Sequence, residues 1–267
     1  MNIYFTKMHG LGNDFVVIDN FNGRIKLSSE QIKFLCDRKK GIGADGLILV
    51  EATNDSKEYD CFMNYYNADG TQAEMCGNGV RCVALFLKEG YLKNNISFKI
   101  NTRAGIKKVE MIDEDIFSVN MGVPVFEHSD FPEKEMEIEG MNFQFVSMGN
   151  PHAVTMVAEL DPRAVSDIGP RVENSKFFPN KTNVEFVKEI NPREYEARVW
   201  ERGCGETLAC GTGACAIYAI LKKRGNTESE IVLHLLGGKL KLTQNTEGEI
   251  IMEGPAVASF SGMVTVV

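Results

Sequence analysis

Two cysteines in this chain of 267 residues stand where a thiol can work as an acid or a base. Cys76 precedes Gly77-Asn78-Gly79, and Cys210 precedes Gly211-Thr212-Gly213. Each Gly-x-Gly runs into an apolar, helix-like segment, which continues as Val83 to Leu87 in the first case and Ala216 to Leu221 in the second. Both cysteines are therefore expected at helix N-termini. A thiol there meets the positive end of the helix dipole and backbone N–H groups with no partner inside the helix. That setting lowers a thiol pKa, and the glycines let a substrate carboxylate approach the same N–H groups. One such turn implies a reactive cysteine. Two imply a pair of thiols on one substrate: a thiolate removes a proton from one face of a carbon, and the opposing thiol returns one to the other face. The stereocentre inverts with no redox change. Negative charge built up in that step must be held by N–H donors, each typically worth about 3 kcal/mol.

The elements that position these turns occur twice. In the first half, strands are expected at Phe15–Ile18, Leu47–Val50 and Cys61–Tyr66, a helix from Ser28 or Ser29, and further strands at 96–101, 106–111 and 116–121. The second half echoes this order. Asn150 follows Asn13 by 150 − 13 = 137 residues, Val187 follows Val50 by 187 − 50 = 137, Cys210 follows Cys76 by 210 − 76 = 134, Gly238 follows Gly105 by 238 − 105 = 133, and Gly254 follows Gly122 by 254 − 122 = 132. Five ordered matches with a slowly drifting offset indicate a duplication. The expected fold is mixed α/β, with two homologous halves related by a pseudo-two-fold axis. Each half is a mixed sheet around a central helix, and the active site lies in the cleft between them. The first half spans 1–119 and the second 120–255. Residues 256–267 are expected to return to the first, and the boundary is expected near residues 119–140, which include the polar stretch 127–135.

Charged residues make up 25% and hydrophobic ones 43%, as in a soluble globular protein. The net charge of -8 argues against nucleic acid or an anionic membrane as partner. The N-terminus lacks a basic region followed by an apolar run, so no signal peptide is expected, and no stretch reaches the roughly 20 apolar residues of a membrane span. The seven cysteines form no Cys-x-x-Cys and no zinc pattern with the four histidines. Reduced thiols in the cytoplasm are the simplest reading, with no metal. Gly10-Leu11-Gly12 and Gly41-Ile42-Gly43 fall short of a dinucleotide-binding loop.

Other residues keep two readings. Cys36, Cys61, Cys82 and Cys215 are expected as small buried hydrophobes, and the role of Cys204, between Gly203 and Gly205, is open. His152 is either a satisfied loop histidine or a group that tunes a thiol. Glu201-Arg202 is a surface pair or part of the cleft, since 201 − 67 = 134 aligns it with Asn67 before the first cysteine turn. Asn13, Asn67, Asn150 and Asn183 are turn residues or a ring that reads an ammonium and a carboxylate.

Gly10-Leu11-Gly12-Asn13-Asp14-Phe15, Asn67-Ala68-Asp69-Gly70, Met75 to Cys82, Gly149-Asn150-Pro151-His152, Glu201 to Thr207 and Ala209 to Ala214 together resemble the diaminopimelate epimerases. The likeness covers essentially the whole chain. Related two-thiol proline racemases usually have His where Asn78 stands. The resemblance implies a cofactor-independent isomerase that interconverts LL- and meso-diaminopimelate, for lysine and cell-wall synthesis, as a cytoplasmic homodimer. It implies Cys76 and Cys210 as the acid/base pair, and the N–H groups at Gly77-Asn78 and Gly211-Thr212 as holders of the reacting carboxylate. Asn13, Asn67, Asn150, Asn183, Glu201 and Arg202 would read the distant amino acid end, with Arg202 on its carboxylate, and His152 and Glu201 would adjust the thiols. Two departures stand out: Gly46 replaces a substrate-contacting Gln found in some members, and Cys204 replaces a small residue. The competing readings are a two-thiol racemase of another amino acid such as proline, a cysteine hydrolase with a Cys–His pair, and a binding protein without turnover.

Overall fold

The computed structural model describes residues 1–53, 57–129, 131, 135–226 and 228–266. Part of the polar stretch 127–135 lies outside the described residues. The chain forms two compact units, residues 1–119 with 254–267, and residues 120–253.

The first unit begins with β1 (Asn2–Gly10) and β2 (Asn13–Asn20), an antiparallel hairpin. Its turn is set by Leu11 and Gly12, at φ 55° and 82°, the left-handed pair that matches the natural twist of a hairpin. Helix α1 (Ser29–Cys36) starts from a capping box in which Ser28 and Gln31 satisfy each other's backbone N–H. Then follow β3 (Gly46–Glu51), β4 (Cys61–Asn67), α2 (Gly77–Gly90), β5 (Ser97–Thr102), β6 (Gly105–Met111) and β7 (Ile116–Gly122). The β2/β3 and β4/β5 pairs are parallel, and β3/β4, β5/β6 and β6/β7 are antiparallel. Helix α2 packs against β1, β2, β5 and β6. Val80, Cys82, Val83, Ala84 and Leu87 are fully or almost fully buried there, each apolar side chain of Val or Leu size contributing about 1.5–3 kcal/mol.

The second unit repeats this plan. It contains β8 (Glu135–Ile138), β9 (Met141–Ser147), β10 (Pro151–Met156), α3 (Pro162–Glu173), β11 (Asn183–Asn191), β12 (Glu194–Glu201), β13 (Gly205–Thr207), α4 (Gly211–Lys223), β14 (Glu230–Leu235), β15 (Gly238–Gln244) and β16 (Ile250–Pro255). The β10/β11 and β12/β14 pairs are parallel and the β8/β9, β9/β10, β11/β12, β14/β15 and β15/β16 pairs antiparallel. The chain then returns as β17 (Val257–Thr265), antiparallel to β1 and in the place that β8 takes beside β9. Strand for strand, the sequence of parallel and antiparallel pairings is the same in both units. Even the small β13 pairing has a counterpart: Trp200 opposite Glu206 corresponds to the bridge of Tyr66 and Gln72. The mixed α/β fold of two repeated halves, each with a helix against a mixed sheet, is thus observed.

Four elements escape a reading of the sequence alone. Strand β1 buries Ile3 and Phe5 but exposes Tyr4, so its alternation lacks an apolar–polar contrast. Strand β8 has only four residues and opens at the end of the polar stretch, and β9 pairs with it. Helix α3 starts from Asp161, whose side chain accepts from Arg163 N, with Pro162 at its first turn.

Candidate active site

In the first unit, Cys76 is the residue that precedes α2, in extended conformation, and its carbonyl accepts from Val80 N. It is half-buried. The Cys76 thiol donates to Asn13 Oδ1 at 3.5 Å, and Asn78 Nδ2 donates to the same oxygen at 3.1 Å. Asn13 Nδ2 in turn donates to Asp45 Oδ2 at 2.9 Å. Arg38 ties Asp45 to Asp14. Burial pushes the Asp14 carboxyl up, but Arg38 and Lys7 outweigh it and hold Asp14 at about 2. At the other end, Arg81 Nη2 donates to Asn78 Oδ1 at 2.7 Å, and Arg81 Nε to Pro255 O at 3.1 Å. Asn67 ends β4 with its Nδ2 on Thr71 Oγ1 at 3.1 Å, outside this chain of amides.

The second unit places Cys210 before α4 in the same way, but buried. Gly213 N donates to Cys210 Sγ at 3.4 Å, and Thr212 Oγ1 lies 3.5 Å from the sulfur. Asn150 Nδ2 donates to Thr212 Oγ1 at 3.3 Å. Asn150 thus stands to Thr212 as Asn13 stands to Asn78. The Cys210 thiol also bonds the Glu201 carboxyl, which accepts from Thr207 Oγ1 at 2.6 Å. His152 is fully buried, with Nε2 3.0 Å from Asn150 Oδ1 and Nδ1 2.6 Å from Glu185 Oε1. Asn183 bridges two loops, donating to Pro151 O and accepting from Arg202 N, both at 2.9 Å. Glu173 holds the next peptide by accepting from Gly203 N at 2.9 Å. Arg202 itself is exposed, with Nη1 on Asn180 O at 3.2 Å.

The electrostatics of Cys210 differ from the lowered thiol pKa that a helix N-terminus implies. Burial pushes the thiol well up, as negative charge on Glu201 or Glu185 also does, and the Thr212 hydroxyl and Gly213 N–H pull it down less. Burial likewise raises Glu185 and Glu201, against the opposing effect of His152. In this state Cys210 carries its proton. Cys36, Cys61, Cys82 and Cys215 are buried, as expected, and Cys204 is exposed. Gly46 cannot take over the role of a longer residue, because a Cβ there would lie 2.6 Å from the Tyr65 ring. Among the described residues, no three His, Cys, Asp or Glu side chains are grouped for a metal ion.

Two residues belong to these arrangements that the sequence alone does not single out. Arg81 is completely buried and reads at first as part of an amphipathic helix. Glu185 is equally buried in a strand of apolar neighbours. The duplication carries the signal for it: 185 − 48 = 137 aligns Glu185 with Ile48, a carboxyl where the other copy is apolar.

Comparison with known proteins agrees with this arrangement. The family model described as "Diaminopimelate epimerase" matches residues 5–127 and 144–259. The diaminopimelate epimerase of Leptospira biflexa is 42% identical, covering 100% of both chains, and that of Teredinibacter turnerae is 40% identical, covering 99% of both. Among solved structures, a Bacillus anthracis phenazine biosynthesis protein of the PhzF family has a TM-score of 0.73 at 17% identity, covering 100% of both chains. A hydroxyproline epimerase from Agrobacterium vitis has a TM-score of 0.73 at 15% identity, covering 98% of this chain and 91% of that one. Those two likenesses speak to the fold alone. The family match and the full-length identities show that this chain belongs to the diaminopimelate epimerase family.

Proposed function

We propose that the protein interconverts LL- and meso-diaminopimelate with Cys76 and Cys210 as its two acid/base groups. The observation that carries this reading is the repetition. Two units of one topology each set a cysteine before a helix opened by Gly-x-Gly, with an Asn from the preceding hairpin turn beside it. One thiol takes the α-proton while the other delivers a proton to the opposite face. The first-turn N–H groups after each cysteine, at Gly77-Asn78 and Gly211-Thr212, hold the carboxylate on which charge builds. A protonated Cys210 suits the donor role in the first turnover of one direction. Asn13, Asn67, Asn150, Asn183, Glu201 and Arg202 read the far amino acid end. Asn183 does so partly by holding the Arg202 backbone, and Glu201 also meets Cys210. His152 acts on the thiol through Asn150 and Thr212.

The test is stereoisomer analysis of LL-diaminopimelate incubated with the purified protein and no added cofactor. The expected result is meso product; an unchanged LL isomer, with the thiols reduced, refutes the reading. Arg202→Ala addresses the substrate. Loss of a charge-assisted pair with a carboxylate should raise KM about 10- to 100-fold, roughly 1.4–3 kcal/mol, with a smaller change in kcat. An unchanged KM would mean that no second carboxylate is bound there, as for a proline-type substrate.

A homodimer is proposed as the working form. Tyr4 and Met263 are direct cross-strand partners on β1 and β17, exposed by 75% and 53%, an apolar pair that a second copy would cover. Sedimentation should give twice 29.7 kDa; a monomer mass at working concentrations would refute it. No helix among the described residues is long and apolar enough to cross a membrane. A cytoplasmic site is proposed because two working thiols need a reducing compartment.

A further inference from the structure

The two cysteine turns share a backbone plan but differ beneath it. Under the first turn, a Cβ on Gly79 would meet Met63 Cε at 2.8 Å and Ile48 Cδ1 at 3.1 Å. Under the second, a Cβ on Gly213 would meet Glu185 Oε1 at 2.9 Å and Cys210 Sγ at 3.3 Å. Glu185 thus replaces Ile48, and by the same offset, 152 − 15 = 137, His152 replaces Phe15. All four side chains are completely buried. The first unit shows that this plan folds around an apolar pair. A buried acid–base pair costs desolvation that well-packed apolar residues avoid, so the fold gives no reason for it. Among the described residues Glu185 Oε2 has no hydrogen-bond partner, which adds to that cost. The groups facing the carboxyl are His152 from β10, Glu201 from β12 and Cys210 from the turn that precedes α4.

We propose that Glu185 is a positioning residue for the second thiol, fixing His152 so that its Nε2–H points to Asn150 and thereby sets the Asn150–Thr212 contact against Cys210. The geometry runs in one line. Nε2 donates to Asn150 Oδ1, so Nδ1 of the neutral ring is bare, and the buried Glu185 carboxyl, in its protonated form, donates to it from Oε1. With its oxygen so held, Asn150 presents Nδ2 to Thr212 Oγ1, the hydroxyl beside Cys210 Sγ. An imidazole with no partner at Nδ1 can carry its proton on either nitrogen, and the amide of Asn150 is then free to turn over. The register of β10 against β11 makes the contact possible. His152 stands opposite Asn183 on the parallel neighbour, and Glu185, two residues on, points to the same face of the sheet.

The inference rests on Cys210 being one of the two working thiols, and it is tested on the full chain with a readout that needs no turnover. In nitrogen-15 NMR of labelled histidine, wild type and Glu185→Gln should both show His152 protonated at Nε2, since a Gln amide can donate to Nδ1. Glu185→Ile should show a mixture of tautomers. In the assay, Glu185→Gln should stay within about threefold of wild-type kcat. Glu185→Ile should lose about tenfold in kcat with KM within about threefold, because Asn150 is the one far-end contact it disturbs. Should Glu185→Ile not fold, the unbranched Glu185→Met carries the same readouts. The double variant His152→Phe with Glu185→Ile installs the pair of the first unit, and its Tm should lie within about 3 °C of wild type. Unchanged His152 signals in Glu185→Ile, or full kcat in that variant, would overturn the proposal. So would a double variant that melts more than about 10 °C lower, since the pair would then be structural. A protein that fails to epimerise diaminopimelate would leave the tautomer result standing, so the two failures are separable.

Discussion

Cys76→Ala and Cys210→Ala should each reduce epimerisation by about 10³-fold or more in both directions. A positioned acid or base is worth about 10²–10⁴-fold, and inversion needs two of them, on opposite faces of one carbon. Deleting either removes the proton acceptor for one isomer and the donor for the other. At 1.36 kcal/mol per factor of ten, the loss corresponds to about 4 kcal/mol of barrier. Each change removes a single sulfur atom, and neither cysteine is disulfide-bonded, so the fold should survive. Cys204→Ala is the natural control. Cys204 is exposed and lies outside both turns, and its loss should leave turnover within about twofold. The decisive comparison is turnover from LL and from meso substrate for each variant, with circular dichroism melts alongside. A single variant that keeps a tenth of wild-type turnover would mean that one thiol is enough, and a Cys–His hydrolase-like arrangement would come back into view.

Arg81→Ala should be the most damaging change outside the thiols. The guanidinium is completely buried. It reaches Asn78 Oδ1, Pro255 O and, at 3.4 Å, Gly77 O. Removing it leaves buried acceptors unmatched, at about 1–3 kcal/mol each, plus a cavity the length of the side chain. A total of about 4 kcal/mol is expected, a fall in Tm of about 10 °C for a chain of this size. Function should fall further than stability. Asn78 Oδ1 is anchored by Arg81, and Asn78 Nδ2 is the donor that shares Asn13 Oδ1 with the Cys76 thiol. A folded Arg81→Ala at low temperature should therefore show kcat reduced about tenfold. Arg81→Lys keeps the charge but not the planar fork, and should recover only part of the Tm. Gly10 belongs to the same arrangement, since a Cβ there would lie 2.8 Å from Arg81 Nη2. Wild-type melting in Arg81→Ala would show that the guanidinium holds nothing together.

What could be read in the sequence was what glycine and repetition make legible. Leu11-Gly12, Arg103-Ala104 and Leu236-Gly237 all prove to be turns between antiparallel strands, and Gly12, Gly105 and Gly238 take the positive φ that few other residues accept. The duplication was legible for the same reason: glycine turns recur at a slowly drifting offset even where side chains diverge. The central helices were visible from their apolar runs. The residues beneath the turns were not. His152 and Glu185 are 33 residues apart, and what joins them is the parallel register of β10 and β11, which no local pattern records. Arg81 sits among apolar neighbours on α2 and bonds a carbonyl 174 residues away. The thiol of Cys210 shows a second limit. Its place before a helix was legible, but the burial and the two carboxylates that reverse the sign of its pKa shift come from three separate strands and turns.

The central claim is that two thiols serve opposite faces of one carbon, and the isotope pattern of early turnover in deuterated water tests it most directly. Each isomer should be incubated separately with the wild-type protein and quenched at about 5% conversion. If one thiol removes the substrate proton and the other, equilibrated with solvent, delivers a deuteron, the product carries deuterium at the inverted carbon while the recovered substrate keeps its proton. That pattern should hold from LL to meso and from meso to LL. Deuterium in the recovered substrate at the same rate as in the product would mean that a single exchanging base serves both faces, and would contradict the two-thiol mechanism.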